Sequence, residues 1–188
     1  MIGRLLRKLT KRGDDLMVRF QKEGLAGVAR VARRMLGEPP PHDGDWTPSE
    51  YRTLDAVLDR LCDYEGDDLP RPADTFALQA TLDFIDTFPK GRKDQLRDLL
   101  SLFEAGAIIL GPDGEHRRFS ELGPEAADTY LTGWDQSKLP PRRAAFRALK
   151  SVCMMGYWSQ RGTWEAIGYS LEENPGLKAE RGREMELI

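Results

Sequence analysis

The chain has 188 residues, of which 40% are hydrophobic and 31% charged, a composition that supports one packed domain with an appendage and excludes a disordered polymer. Twenty-eight Lys and Arg against 31 Asp and Glu leave a net charge of -3, so bulk charge gives no ground for a nucleic-acid partner. Two Cys and two His argue against a disulfide framework, and a four-ligand zinc site would need every one of them.

Residues 1–37 read as a basic amphipathic arm. They hold ten Lys or Arg and three Asp or Glu, a charge of +7, which with the net -3 leaves -10 for residues 38–188. Ile2, Leu5, Leu6 and Leu9 share a helical face ringed by Arg4, Arg7, Lys8 and Lys11. A second segment, Leu25 to Leu36, adds Val28, Val31, Ala32 and Met35. Such helices lie on anionic membrane, enter a groove on a partner, or fold back on their own domain. The lack of Trp and the interrupting Gly13 favour the two protein-packing options over the membrane. Lys11, Arg12, Asp14, Asp15, Arg19 and Lys22 break any secretory apolar run, and Arg33-Arg34 lead into Gly37-Glu38-Pro39 rather than into an apolar segment. With no apolar run of about 18 residues, the sequence predicts a cytoplasmic protein, free or peripheral to the inner membrane, without signal peptide or transmembrane helix. Pro39-Pro40-Pro41 makes residues 38–45 a stiff linker.

Helix signals then follow one another through residues 46–170. Thr47-Pro48-Ser49-Glu50 combines a capping Thr, a Pro in the first helical position and a Glu three residues after the cap. Tyr51, Leu54, Leu58 and Leu61 continue at helical spacing. Asp74 is read as the cap of a helix through Leu78, Leu82, Ile85 and Phe88, which Pro89 stops. Leu96, Leu99, Leu100 and Phe103 mark the next. Ile108-Ile109-Leu110 and Arg117-Arg118-Phe119 flank Gly111-Pro112-Asp113-Gly114, a pattern that admits at most one small β-hairpin over 107–119. Gly123-Pro124 and Pro140-Pro141 start two more helices, the second becoming apolar on all sides from Val152 to Trp158 and so reading as central. Thr163 is read as capping a short last helix, and residues 171–188 as a charged tail. The predicted architecture is all-α, an irregular helical bundle.

Chemistry-bearing residues give no catalytic constellation. Cys153 lies among Val152, Met154 and Met155, an environment that disfavours a thiolate, and Cys62 beside Leu61 reads the same way. His42 and His116 stand alone in loops, and the pairs Asp83/Asp86 and Asp94/Asp98 fit ordinary solvated helix faces. Neither G-x-G-x-x-G nor G-x-x-x-x-G-K-S/T occurs. No catalytic, cofactor-binding or metal residue is therefore assigned.

One set of residues is more specific. Trp46-Thr47-Pro48-Ser49-Glu50-Tyr51 with Leu54, Arg118-Phe119-Ser120-Glu121-Leu122, Tyr130-Leu131-Thr132-Gly133-Trp134 with Ser137, Leu139-Pro140 with Arg142, Arg143, Phe146 and Lys150, Met155-Gly156-Tyr157-Trp158, and Trp164-Glu165-Ala166-Ile167-Gly168-Tyr169 occur in this order. Together they resemble the gluconate 2-dehydrogenase subunit 3 family over roughly residues 46–170. That resemblance implies a small, non-catalytic subunit, itself without cofactor, that supports the folding, stability or maturation of a large FAD-containing oxidoreductase of the glucose-methanol-choline (GMC) type. The twin-arginine export signal carried by many members has no counterpart in residues 1–37. Trp134, Arg142, Arg143, Tyr157, Trp158 and Trp164 are the partner-binding candidates, because aromatic and Arg side chains anchor interfaces; core packing accounts for the aromatics equally well. The alternative is a peripheral membrane adaptor held by residues 1–36.

Overall fold

The computed structural model describes residues 24–38, 46–64, 69–111 and 116–170. They are all-α, as the spacing predicts: α1 (24–36), α2 (Pro48–Leu61), α3 (Ala77–Asp86), α4 (Lys90–Leu110), α5 (Pro124–Asp135), α6 (Pro140–Trp158) and α7 (Arg161–Ala166), with 3-10 turns at Pro72–Asp74 and Phe119–Glu121. No strand occurs among the described residues. The segment 107–110, which the sequence offers as the first arm of a hairpin, completes the last turn of α4, and Phe119 enters a 3-10 turn. The helical period from Phe103 through Ala107, both fully buried, outweighs the β preference of Ile108 and Ile109.

Local capping sets most helix starts. The Glu50 N–H donates to Thr47 Oγ1 at 3.2 Å, and the Glu50 carboxylate accepts the Thr47 N–H at 2.7 Å, so the capping box at α2 is closed on both sides. α5 and α6 begin with Pro in the first turn. Two predicted caps are displaced. The Asp74 carboxylate is taken by Arg71 at 2.9 Å, and Thr75 Oγ1 instead accepts the Ala77 N–H at 3.1 Å. Thr163 lies inside α7, where its hydroxyl donates to the Gln160 carbonyl.

α2 and α6 form the centre. α2 touches α3, α4, α5 and α6, while α3 lies along α6 in the most extensive helix contact among the described residues. Gly156 permits that contact: a Cβ there would collide with Thr81 Oγ1 and lie 2.8 Å from the Ala77 carbonyl oxygen. Phe103 of α4 stands at the middle of an aromatic cluster, with Phe119, Trp134 and Tyr130 at ring-centroid distances of 4.7, 4.9 and 5.1 Å. Edge-to-face and tilted pairs of this kind add to the stabilisation from area burial. The Tyr130 hydroxyl is satisfied by the Phe103 carbonyl at 2.9 Å.

α1 packs against this body. Ala32 and Leu36 are buried against Ala105, with Ile108 alongside. Arg33 pairs with Asp98 of α4 at 2.6 Å, and Arg118 donates to the Leu36 carbonyl at 3.0 Å. About a third of the predicted arm, residues 24–36, thus packs its buried apolar side chains against its own domain. Residues 1–23, the linker residues 39–45 and the tail 171–188 lie outside the described residues. Among the described residues, no helix is long and apolar enough to cross a membrane.

Candidate functional site

Aromatic side chains gather at the C-terminal end of α6. Tyr157 is fully buried and donates its hydroxyl to the Pro70 carbonyl at 2.7 Å, which pins the segment between α2 and α3. Trp158, its neighbour, is half-buried, with Tyr64 at 5.8 Å and Tyr157 at 5.2 Å between centroids. The chain then turns into α7, where the Trp164 indole N–H donates to the Trp158 carbonyl and the half-buried Trp164 ring meets Tyr169 edge-on at 5.9 Å. Outside these rings stand Ile167, 56% exposed, and Tyr169, 41% exposed. Phe76 (80% exposed) and Met155 (55%) immediately precede Ala77 and Gly156, the pair in close contact between α3 and α6. Water-facing apolar side chains concentrated in this way mark an interaction surface more often than isolated ones do.

The N-terminal end of α6 is built differently. The Arg142 guanidinium lies 4.7 Å from the centroid of the Trp134 ring, a cation–π stack, and burial pulls it below the ordinary arginine pKa. Arg143 reaches back to the Ser137 carbonyl and holds the loop between α5 and α6. Of the six residues proposed from sequence as partner contacts, Trp134 and Tyr157 are core residues in this fold, because Phe103, Tyr130 and the Pro70 segment enclose their rings. Arg142, Arg143, Trp158 and Trp164 remain partly exposed. The exposed apolar side chains of Tyr64, Phe76, Met155 and Ile167 went unassigned. Met155 had a legible signal, since it falls on the same face of α6 as the exposed Ala144, Ala148 and Ser151.

The thiols are buried, and the four acids singled out from the sequence each have a partner. Cys62 and Cys153 are free and buried; burial pushes the Cys62 thiol up to about 12 and raises Cys153 as well, so neither is a thiolate near neutrality. His116 Nδ1 donates to the Ile108 carbonyl at 2.8 Å, near the end of α4, and His42 lies outside the described residues. Asp83 accepts from Gln79, Asp86 pairs with Lys93, Asp94 with Lys90 and Asp98 with Arg33. Glu104, fully buried in α4, accepts the Ser120 N–H at 3.0 Å and its hydroxyl at 2.5 Å, and burial raises its carboxyl pKa despite these bonds. Ser120 also lines a shallow cleft with Arg52, Asp55, Ala56, Asp59 and Ala73. Burial and the neighbouring Asp59 raise the Asp55 pKa there. Among the described residues no group of three or more His, Cys, Asp or Glu side chains is arranged to hold a metal ion.

Comparison with protein-family models, with curated proteins and with solved structures finds no match to this chain.

Proposed function

We propose that this chain is a non-catalytic small subunit that binds and stabilises a large FAD-dependent oxidoreductase of the GMC type acting on an alcohol or sugar hydroxyl. The observation that carries the reading is the partly exposed aromatic rim of Trp158, Trp164 and Tyr169, continued by Ile167 and Met155. It falls on the Met155-Gly156-Tyr157-Trp158 and Trp164-Glu165-Ala166-Ile167-Gly168-Tyr169 stretches that carry the family resemblance. A rim with rings half-buried in their own domain presents rigid apolar area at little entropic cost, which suits a stable interface. A subunit that binds only the folded enzyme raises that enzyme's stability by mass action.

The test is co-production with a candidate FAD-dependent GMC-type oxidoreductase of the same organism. We expect copurification and a higher yield of soluble, FAD-loaded enzyme than without the chain. Equal yield and activity, with no association, would remove the proposal.

A further inference from the structure

Arg142 stands apart among the cations of the described residues. Those that are buried or half-buried are matched: Arg33, Arg60, Lys93, Arg97 and Arg118 each have a carboxylate within ion-pair distance, and Arg143 donates to the Ser137 carbonyl. All other described Lys and Arg side chains are exposed to water. Arg142 alone is half-buried with neither a carboxylate nor a carbonyl against it, and its enclosed Nε has no acceptor. Its guanidinium rests on the ring of Trp134, a side chain 4% exposed whose indole N–H also lacks an acceptor. A cation–π stack returns only part of what a guanidinium loses on leaving water. Beside the guanidinium the surface opens over Gly133, where an added Cβ would meet only Arg142 Nη2, at 4.0 Å.

We propose that Arg142, on its Trp134 platform, is a binding site for a single carboxylate. The inference stands independently of the subunit reading above. A guanidinium fork holds a planar carboxylate through two parallel bonds, as Arg97 holds Glu50 and Arg60 holds Asp128 within this same fold. One unmatched cation fits one negative charge. Phosphate fits less well, because it is held where several donors converge, often the free amides of a helix N-terminus. The start of α6 does not offer them: Pro140 and Pro141 have no N–H, and the Arg142 and Arg143 amides are bonded to the Leu139 carbonyl at 3.1 and 3.2 Å. Two sources share the carboxylate chemistry, a free small acid and an acidic side chain on a protein.

The experiment titrates the purified full chain with acetate, with a capped peptide carrying one glutamate, and with phosphate. The readouts are the NMR signals of the Gly133 amide and the Trp134 indole N–H, in the wild type, R142M, R142K and the control R147Q, which alters an exposed cation of the same helix. We expect both carboxylates to shift these signals saturably in the wild type and in R147Q. Binding should be about tenfold weaker or more in R142K, which keeps the charge and loses the fork, and absent in R142M. Should R142M fail to fold, R142K carries the test. Tighter binding of the peptide than of acetate would assign the site to a protein side chain, and equal binding to a free small acid; either supports the proposal. It would be overturned by the lack of a saturable shift with either carboxylate, by wild-type affinity in folded R142M or R142K, or by phosphate binding more tightly than both carboxylates.

Discussion

Glu50 of α2 holds Arg97 of α4 with both carboxylate oxygens, at 2.8 Å from Nε and 2.9 Å from Nη2, and the two side chains are only 4% and 2% exposed. The same carboxylate closes the capping box on Thr47, so one buried group caps the start of α2 and ties two helices together. The Trp46 ring lies beside the pair, 5.4 Å from the Arg97 guanidinium. Removing one partner of such a pair leaves a desolvated charge without its counterpart and costs about 3–5 kcal/mol. E50A and R97A should therefore each lose that much in urea unfolding. A double variant, E50L/R97M, should lose far less than the sum. Additive losses would show that the pair is not coupled.

Glu104 gives the fold a pH dependence of known sign. Burial, the dominant cause, lifts its carboxyl above the ordinary 4.5. The folded chain therefore binds this proton more tightly than the unfolded one, and the contribution is most favourable below pH 4.5. It is lost as pH rises from there through the folded value, and is constant above that. The difference in unfolding free energy between wild type and E104Q, followed from acid to neutral pH, should show this slope. A difference that stays flat, or that grows in the wild type's favour with rising pH, would contradict the burial argument.

Gly156 and Gly91 should respond in opposite directions to the same change. At Gly156 a methyl group meets Thr81 and the Ala77 carbonyl across the α3–α6 contact, and the obstructing atoms are largely backbone. Overpacking of this kind costs typically 1–3 kcal/mol, roughly, and more where backbone cannot yield. At Gly91, in the first turn of α4, nothing lies within 4 Å of the added Cβ. Ala there gains helix propensity, worth up to about 1 kcal/mol. Thermal unfolding of G156A and G91A checks both signs at once.

The local part of this architecture was legible in the amino-acid order, and the non-local part was not. Thr47 with Glu50, Pro124, Pro140 and the stop at Pro89 act through bonds and dihedrals within one turn, so their spacing is enough to place them. Glu50 and Arg97 are 47 residues apart, and nothing in either neighbourhood announces the pairing. The docking of α1 is equally remote, since Arg33 meets Asp98 only after the chain has returned through α4. For the site, an all-apolar run such as Val152 to Trp158 identifies a buried helix end but does not say which ring points outward. Tyr157 and Trp158 are adjacent, yet one is enclosed and the other half-exposed.

Both thiols should be inert in the native state. Cys62 and Cys153 are enclosed among apolar side chains, with the Cys62 pKa pushed up to about 12. A disulfide-exchange reagent at neutral pH should label neither until the chain unfolds, at which point both react. Rapid stoichiometric labelling of the folded protein would show that the α2–α6 contact opens locally, contrary to the packing described.

Substitutions at the two ends of α6 should separate folding from partner binding. Trp134 sits against Phe103 and Tyr130 in the core, and W134A should cost about 3–5 kcal/mol, the range for deleting a buried aromatic. Ile167 projects into water from the segment after α7, so I167D should unfold within about 0.5 kcal/mol of the wild type, as surface changes usually do. If the aromatic rim is the contact surface, I167D, with M155D as a second probe on α6, should nonetheless abolish copurification with the flavoenzyme, because a carboxylate buried in an apolar interface is desolvated without a partner. Retention of the complex by both variants, each folded by circular dichroism, would move the interface away from this end of α6.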